Sequence, residues 1–242
     1  MSSNLPESGG SALPAAVRPV SPASPDIAPS PVVAVVFDLG NVLIDWDARA
    51  AISAGVGEPR ASAFLADESF DFYSWNALQD AGREWADGEA QAVNTHPHYR
   101  AEILAYRANF AASMIGPIEP TVAVLRELAD AGVPLFGLTN WSHELFPVAR
   151  EHFDFLHLFE DIVVSGEEGV AKPDPEIFEI LAERIEHLGP LDETVFIDDR
   201  LDNVQAAARA GMDAIHYTGA EDLRTDLLLR ALPVSNPFGQ EF

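Results

Sequence analysis

The sequence predicts an α/β fold: a doubly wound, Rossmann-like parallel sheet with a small all-helical cap inserted after the first strand. Three features of the chain point to it. A short, β-branched apolar run at residues 32–37 breaks off in an aspartate. From about residue 119, strand-like and helix-like segments alternate, the pattern of parallel strands joined by crossover helices. Between these, roughly residues 47–118 hold helix-length segments rich in alanine and aromatic residues, with no strand pattern.

Residues 1–31 contain seven prolines with many serines and alanines and no apolar period. They predict a disordered tail without the basic-then-apolar order of a secretory leader. "VVAVVFD", residues 32–38, is too short and too β-branched for a helix and reads as a buried strand ending at Asp38. The core domain is then expected over 32–46 and 119–242, with the cap over 47–118. "PTVAVLRELADAG" places Val122, Leu125, Leu128 and Ala129 at helical spacing, with Gly132 as the stop. "VPLFGLTN" is a strand ending at Thr139 and Asn140, and "DIVVS", residues 161–165, is another. "DPEIFEILAERIEHLG" opens on Asp174 as N-cap and Pro175 in the first helical position, then repeats Phe178, Leu181, Ile185 and Leu188 as far as Gly189. "TVFIDD" is a strand that ends in acid, "DNVQAAARAG" a helix, and "DAIHYT" a final strand.

Composition narrows the function. A net charge of −25 disfavours nucleic acid, which demands a basic surface, and anionic membranes for the same reason. No apolar run reaches the roughly 18–20 residues needed to span a bilayer. The absence of cysteine removes disulfides, thiolate metal sites and cysteine nucleophiles, and fits a reducing, cytoplasmic setting. Lys172, in "EEGVAKPDPEIFEI", is the only lysine; the other thirteen basic residues are arginine.

Asp38, Thr139, Lys172 and the pair Asp198–Asp199 all fall at the C-terminal ends of predicted strands or in the loops beyond them. That edge of an open α/β sheet is where ligands bind. Three carboxylates beside a phosphate dianion would repel strongly, about 4 kcal/mol per pair at ~4 Å and an effective dielectric near 20. Such a site calls for a divalent cation, and oxygen-only ligands point to Mg²⁺. A compact ammonium suits the gap between two oxyanions better than a forked guanidinium.

Together, "FDLGNVLID", "LTNWS", "AKPDPEIF" and "FIDDRLDN" resemble the four motifs of the haloacid dehalogenase-like hydrolases over about residues 32–220. They most resemble the bacterial phosphatases opening with "FDLGNV", which include an α-D-glucose-1-phosphate phosphatase. The resemblance implies a phosphatase in which Asp38 is the nucleophile and forms an aspartyl-phosphate. Thr139 and Asn140 would hold phosphoryl oxygens, and Lys172 would bridge Asp38 and the transferring group. Asp38, Asp199 and the backbone carbonyl of Gly40 would ligate Mg²⁺, with Asp198 contributing through water; Asn203 stands where many relatives carry another acid. One position departs from the pattern. Many phosphatases of this family have an aspartate two residues after the nucleophile as general acid and base, and here that residue is Gly40. A sugar anomeric hydroxyl, being a good leaving group, would suffer least from the loss. Asp45 and Asp47 are nearby acids that could substitute, though both read first as solvated loop acids.

The expected substrate is therefore a small phosphorylated metabolite, a sugar phosphate first, handled by a monomer or homodimer. Two alternatives use the same fold: a 2-haloacid dehalogenase, against which the paired acids Asp198 and Asp199 speak, and a binding module that has lost catalysis. In the cap, residues 72–90 mix Phe72, Tyr73, Trp75, Asn76, Asp80 and Arg83 at helical spacing. Trp75 and Arg83 are candidates for substrate contact, as is Trp141 directly after "LTN". "THPHY", residues 95–99, reads as a helix entry and not a metal site, because histidines at i and i+2 do not face one another.

Overall fold

The computed structural model describes residues 32–236; the tail expected to be disordered, residues 1–31, lies outside them. The described chain begins with β1 (Ala34–Phe37) and β2 (Ile44–Trp46). The helices α1 (Ala48–Val56), α2 (Glu58–Leu65), α3 (Phe72–Asp80), α4 (Trp85–Thr95) and α5 (Arg100–Ala108) follow, and β3 (Met114–Pro117) closes this insert. The alternating half then runs α6 (Glu119–Asp130), β4 (Leu135–Thr139), α7 (Phe146–His152), β5 (Asp161–Val164), α8 (Ser165–Glu168) and α9 (Pro175–Ile185). It ends with β6 (Thr194–Asp198), α10 (Leu201–Arg209), β7 (Asp213–His216) and α11 (Ala220–Leu229).

β1, β4, β5, β6 and β7 form one parallel sheet in the order β5-β4-β1-β6-β7. All four residues of β1 are buried, and the two-residue period of a strand sends them to opposite faces. Ala34 and Val36 enter a cluster with Phe136, Phe178 and Phe196, while Val35 and Phe37 join Leu125 and Leu128 on the other side. This double burial is why the segment reads as an unbroken apolar run. Because β4 and β6 flank β1, three chemistry-bearing strand ends lie side by side at one sheet edge. The expected signals act locally as read. Asp174 caps α9, its carboxylate accepting from the Glu176 N–H at 3.0 Å. Gly132 follows α6 at φ +78°, a left-handed conformation that glycine adopts without strain.

Three differences from expectation concern elements. β2 and β3 pair as an antiparallel ribbon across about seventy residues, so the insert is entered and left through two strands, not loops. Neither three- nor four-residue strand is long enough to show a period. α7 and α11 were not foreseen; α11 buries only Leu223 and Leu227, too few to mark a period. The turn Pro97–Tyr99 leads into α5 as "THPHY" suggested. The cap helices close over an aromatic cluster that includes Phe64, Phe72, Trp75, Trp85 and Tyr106. No helix among the described residues is long and apolar enough to cross a membrane.

Candidate active site

Asp38 directly follows β1 and is 8% exposed. Its Oδ1 accepts the Leu39 N–H at 2.8 Å, which fixes the carboxylate as the chain turns away from the sheet. Lys172 reaches this carboxylate from the loop before α9. Its Nζ lies 2.9 Å from Asp38 Oδ1 and 2.7 Å from Asp198 Oδ2, and it donates to the Leu138 carbonyl at 2.7 Å. The side chain is 1% exposed, so an ammonium is buried with both of its counter-charges present. Burial alone would lower its pKa, but the two carboxylates outweigh that and hold it above its ordinary value.

Asp38 and Asp199 are raised as well, but there burial outweighs the neighbouring cation. Burial pushes Asp38 up from 3.8 to about 7, with Lys172 pulling against it and Asp198 adding to the rise. Asp199 is also raised, first by burial and then by Asp198. Asp198 is fully buried; besides Lys172 it accepts from the Arg200 N–H at 2.8 Å and the Asn203 side chain at 3.0 and 3.1 Å. One oxygen from each of Asp38, Asp198 and Asp199 can be chosen so that all lie within 4.8 Å of one another. Asn203 Oδ1 is buried there without a hydrogen-bond partner. An all-oxygen donor set with an orphaned amide oxygen beside it fits a hard divalent cation such as Mg²⁺.

A cavity of about 220 Å³ opens above these groups. Asp38, Gly40, Thr139, Asn140, Lys172, Asp199 and Asn203 lie on its core side, with Trp141 on the wall. The sheet edge thus brings together Asp38, Thr139, Asn140, Lys172, Asp199 and Asn203, with Asp198 fully buried beside them.

Three expectations change with the geometry, those for Asn140, Trp75 and Arg83. Asn140 was assigned to phosphoryl oxygens, but its amide is committed to the backbone of Lys172: Nδ2 donates to the Lys172 carbonyl and Oδ1 accepts the Lys172 N–H, both at 2.8 Å. It positions the lysine. Trp75 and Arg83 do not line the cavity. Trp75 packs edge-on to Trp85 and donates to the Gly88 carbonyl at 3.2 Å, and Arg83 is held by Gln79, Gln91 and the Trp75 carbonyl. Trp75 faces the interior of the cap, and Arg83 lies in the turn between α3 and α4. Asp45 is exposed on β2 and Asp47 caps α1 by accepting from the Arg49 N–H, so neither acid lines the cavity.

The cap wall is mostly aromatic instead: Trp46, Tyr73, Trp85, Tyr106 and Phe110 line it, with Asn76 and Asp80 as polar interruptions. Tyr73, Asn76 and Asp80 share one face of α3 by their i, i+3, i+7 spacing, a pattern present in the sequence but carrying no sign of which face meets the core.

Known proteins agree with this geometry. Residues 32–211 match the family model of a haloacid dehalogenase-like hydrolase. The chain is 28% identical to the sesquiterpene phosphatase astK of Aspergillus oryzae over 200 residues, 82% of this chain and 95% of that protein. A haloacid dehalogenase family enzyme of Bacteroides thetaiotaomicron superposes with a TM-score of 0.63 at 19% identity, covering 82% and 99% of the two chains. Another structure of that enzyme, in complex with magnesium and inorganic phosphate, superposes with a TM-score of 0.56 at 21% identity, covering 75% and 91%. With the family model spanning most of its length and the strand-end acids, threonine and lysine gathered on one cavity, this chain belongs to the haloacid dehalogenase-like hydrolase family.

Proposed function

We propose that the protein is a Mg²⁺-dependent phosphatase that hydrolyses a small organic phosphate through an aspartyl-phosphate on Asp38. The observation that carries this reading is the buried ammonium of Lys172 seated between Asp38 and Asp198 on the cavity floor. It leaves Asp38 free to present its other oxygen to a phosphorus while its charge is shared. Asp38, Asp198 and Asp199 would hold the metal, with Gly40 offering its carbonyl, and the metal would offset the charge of the carboxylates and the transferred group. Thr139, buried at the end of β4, would donate to a phosphoryl oxygen. Catalysis is then mainly positioning and charge stabilisation. The magnesium and phosphate bound by the Bacteroides enzyme support the same reading.

A sugar phosphate was the first expectation for the substrate. The aromatic wall favours a second reading: a phosphate ester with a carbon-rich, apolar organic part, of the kind named for the A. oryzae relative. The test is phosphate release from a panel holding glucose 1-phosphate, a prenyl phosphate such as farnesyl phosphate, and p-nitrophenyl phosphate with Mg²⁺. Acid-quenched protein should carry a phosphoryl adduct on Asp38 by peptide mass spectrometry. A panel without any turnover, or turnover that survives in Asp38→Asn, would overturn the assignment.

A further inference from the structure

Asp80 has no part in the chemistry described so far, yet it lines the same cavity as Asp38. Among the described residues it is the single carboxylic acid that the cap helices bring to that lining. Asn76 Nδ2 donates to Asp80 Oδ2 at 2.8 Å, and the backbone N–H of Ser142 donates to the same carboxyl group. Both donors are neutral. The Asp80 carbonyl accepts from Ser165 Oγ, which in turn accepts the Trp141 N–H at 3.0 Å. The end of α3 is thereby tied to the loop that follows Thr139, so Asp80 is held in place relative to the core machinery.

In-line phosphoryl transfer places the leaving oxygen opposite the attacking one. With Asp38 on the floor, that oxygen departs towards the cap. Gly40 has no group to protonate it. We propose that Asp80 is the general acid and base of this enzyme, supplying from the cap the proton transfer that Gly40 cannot perform. The proposal rests on the phosphatase reading above.

In the first step a carboxylate oxygen of Asp38 forms a bond to phosphorus while the bond from phosphorus to the ester oxygen breaks. The Asp80 carboxyl gives its proton to that oxygen, so a neutral alcohol leaves and Asp80 becomes a carboxylate. In the second step a water oxygen attacks phosphorus and the bond to Asp38 breaks. The water gives its proton to Asp80, which restores both aspartates and releases inorganic phosphate. The surroundings suit an acid that starts protonated. Burial pushes the Asp80 carboxyl up to about 8, against the pull of the Ser142 N–H and the Asn76 amide. The other titratable or charged groups facing this space are Tyr73 on α3 itself, Tyr106 from α5, and Asp38, Lys172, Asp199 and Arg200 from the core. Tyr106 is the rival donor, but burial and then the Asp80 charge push its hydroxyl well above the usual range, too weak an acid for the task.

The test compares two esters in one preparation, so that their ratio does not depend on the folded fraction. General acid catalysis is worth roughly 10²–10⁴-fold, and its value falls as the leaving group improves. Asp80→Asn should lower kcat/KM, which covers only the steps up to alcohol release, by about 10²-fold or more for an alkyl phosphate, and for p-nitrophenyl phosphate by less than about a tenth of that factor. Asp80→Ser should repeat the pattern. In the wild type, kcat/KM for the alkyl ester should fall as pH rises through about 8, and this limb should vanish in Asp80→Asn. Gly40→Asp offers a rescue: a Cβ at Gly40 meets nothing within 4 Å, and the double variant with Asp80→Asn should regain part of the alkyl rate. Equal losses on both esters, or no loss on either, would overturn the proposal. A wild-type protein inert on both would instead overturn the phosphatase reading, and the proposal with it.

Discussion

Replacing Lys172 by methionine keeps most of the side-chain volume and removes the charge. The ammonium sits 2.9 Å from Asp38 and 2.7 Å from Asp198 with 1% of its side chain exposed. At an effective dielectric near 20, each contact at that distance is worth roughly 6 kcal/mol of Coulomb attraction before desolvation is counted. What remains after desolvation is smaller, and breaking one buried ion pair by removing a partner costs about 3–5 kcal/mol. For a protein of this size each kcal/mol lowers Tm by about 2–4 °C, so Lys172→Met should melt roughly 6–20 °C early. Asp38, its carboxyl already pushed up to about 7 by burial, can relieve the unpaired charge by taking up a proton. Losing the cation, which pulls against that rise, raises the proton affinity of Asp38 further, so the destabilisation should be largest near pH 8 and shrink towards pH 5. Thermal unfolding followed by circular dichroism at both pH values reads this directly, and phosphate release should drop by 10²-fold or more. Lys172→Arg should not restore activity, because a forked guanidinium does not fit three acceptors arranged around one nitrogen. A loss of stability under about 1 kcal/mol, the size expected of an exposed pair, or full activity in Lys172→Arg, would refute the reasoning.

Asp38→Asn should abolish turnover and phosphoryl adduct alike while leaving the far-ultraviolet dichroism unchanged, because the amide keeps the shape but is no nucleophile. EDTA should stop hydrolysis of p-nitrophenyl phosphate and added Mg²⁺ restore it; EDTA-resistant chloride release from a 2-haloacid would favour a dehalogenase. Glu127 joins α6 to α11 and the segment after it, accepting from Arg224 twice at 2.7 Å and from the Ser235 N–H at 2.6 Å. The Arg224 guanidinium holds its carboxyl down at about 2, against an ordinary 4.5. A depressed carboxylate stabilises the fold above its unfolded value, and that stability is lost as pH falls from about 4.5 towards 2. With the pair partly solvated, Glu127→Gln should cost about 1 kcal/mol at pH 7 and nothing measurable at pH 2, as read by urea unfolding.

What could be seen in advance follows from how each residue is coupled to its neighbours. Asp38, Thr139 and Asp198 each end or directly follow an apolar run, so the strand that buries the run also delivers the polar residue to the sheet edge. Lys172 stood out because no other lysine shares the chain. The partner of each group was not visible, because pairing is decided in three dimensions. Asn140 turned out to serve the Lys172 backbone, and Lys172 serves Asp198 as much as Asp38. Trp75 and Arg83 shared a helical neighbourhood with the cavity residues Tyr73 and Asn76, but helical spacing fixes only which side chains point together, not which way. Asp80 stood in the sequence only as one polar member of the 72–90 stretch in a chain with 39 acidic residues; the neutral company it keeps sets it apart.

The interlacing of β4, β1 and β6 has a practical consequence. Neighbouring strands in a sheet lie about 4.7–4.9 Å apart, so the hydroxyl, nucleophile and acids are spaced by backbone hydrogen bonds and not by anything in the helical insert. Grafting the insert of a relative between Trp46 and Met114 would change the organic group admitted while leaving that spacing intact. If the graft lacked a carboxyl in the place of Asp80, the hybrid would keep its grip on phosphate yet release alcohols slowly. Substrate range and proton supply would be inherited together in such hybrids, as one exchangeable module.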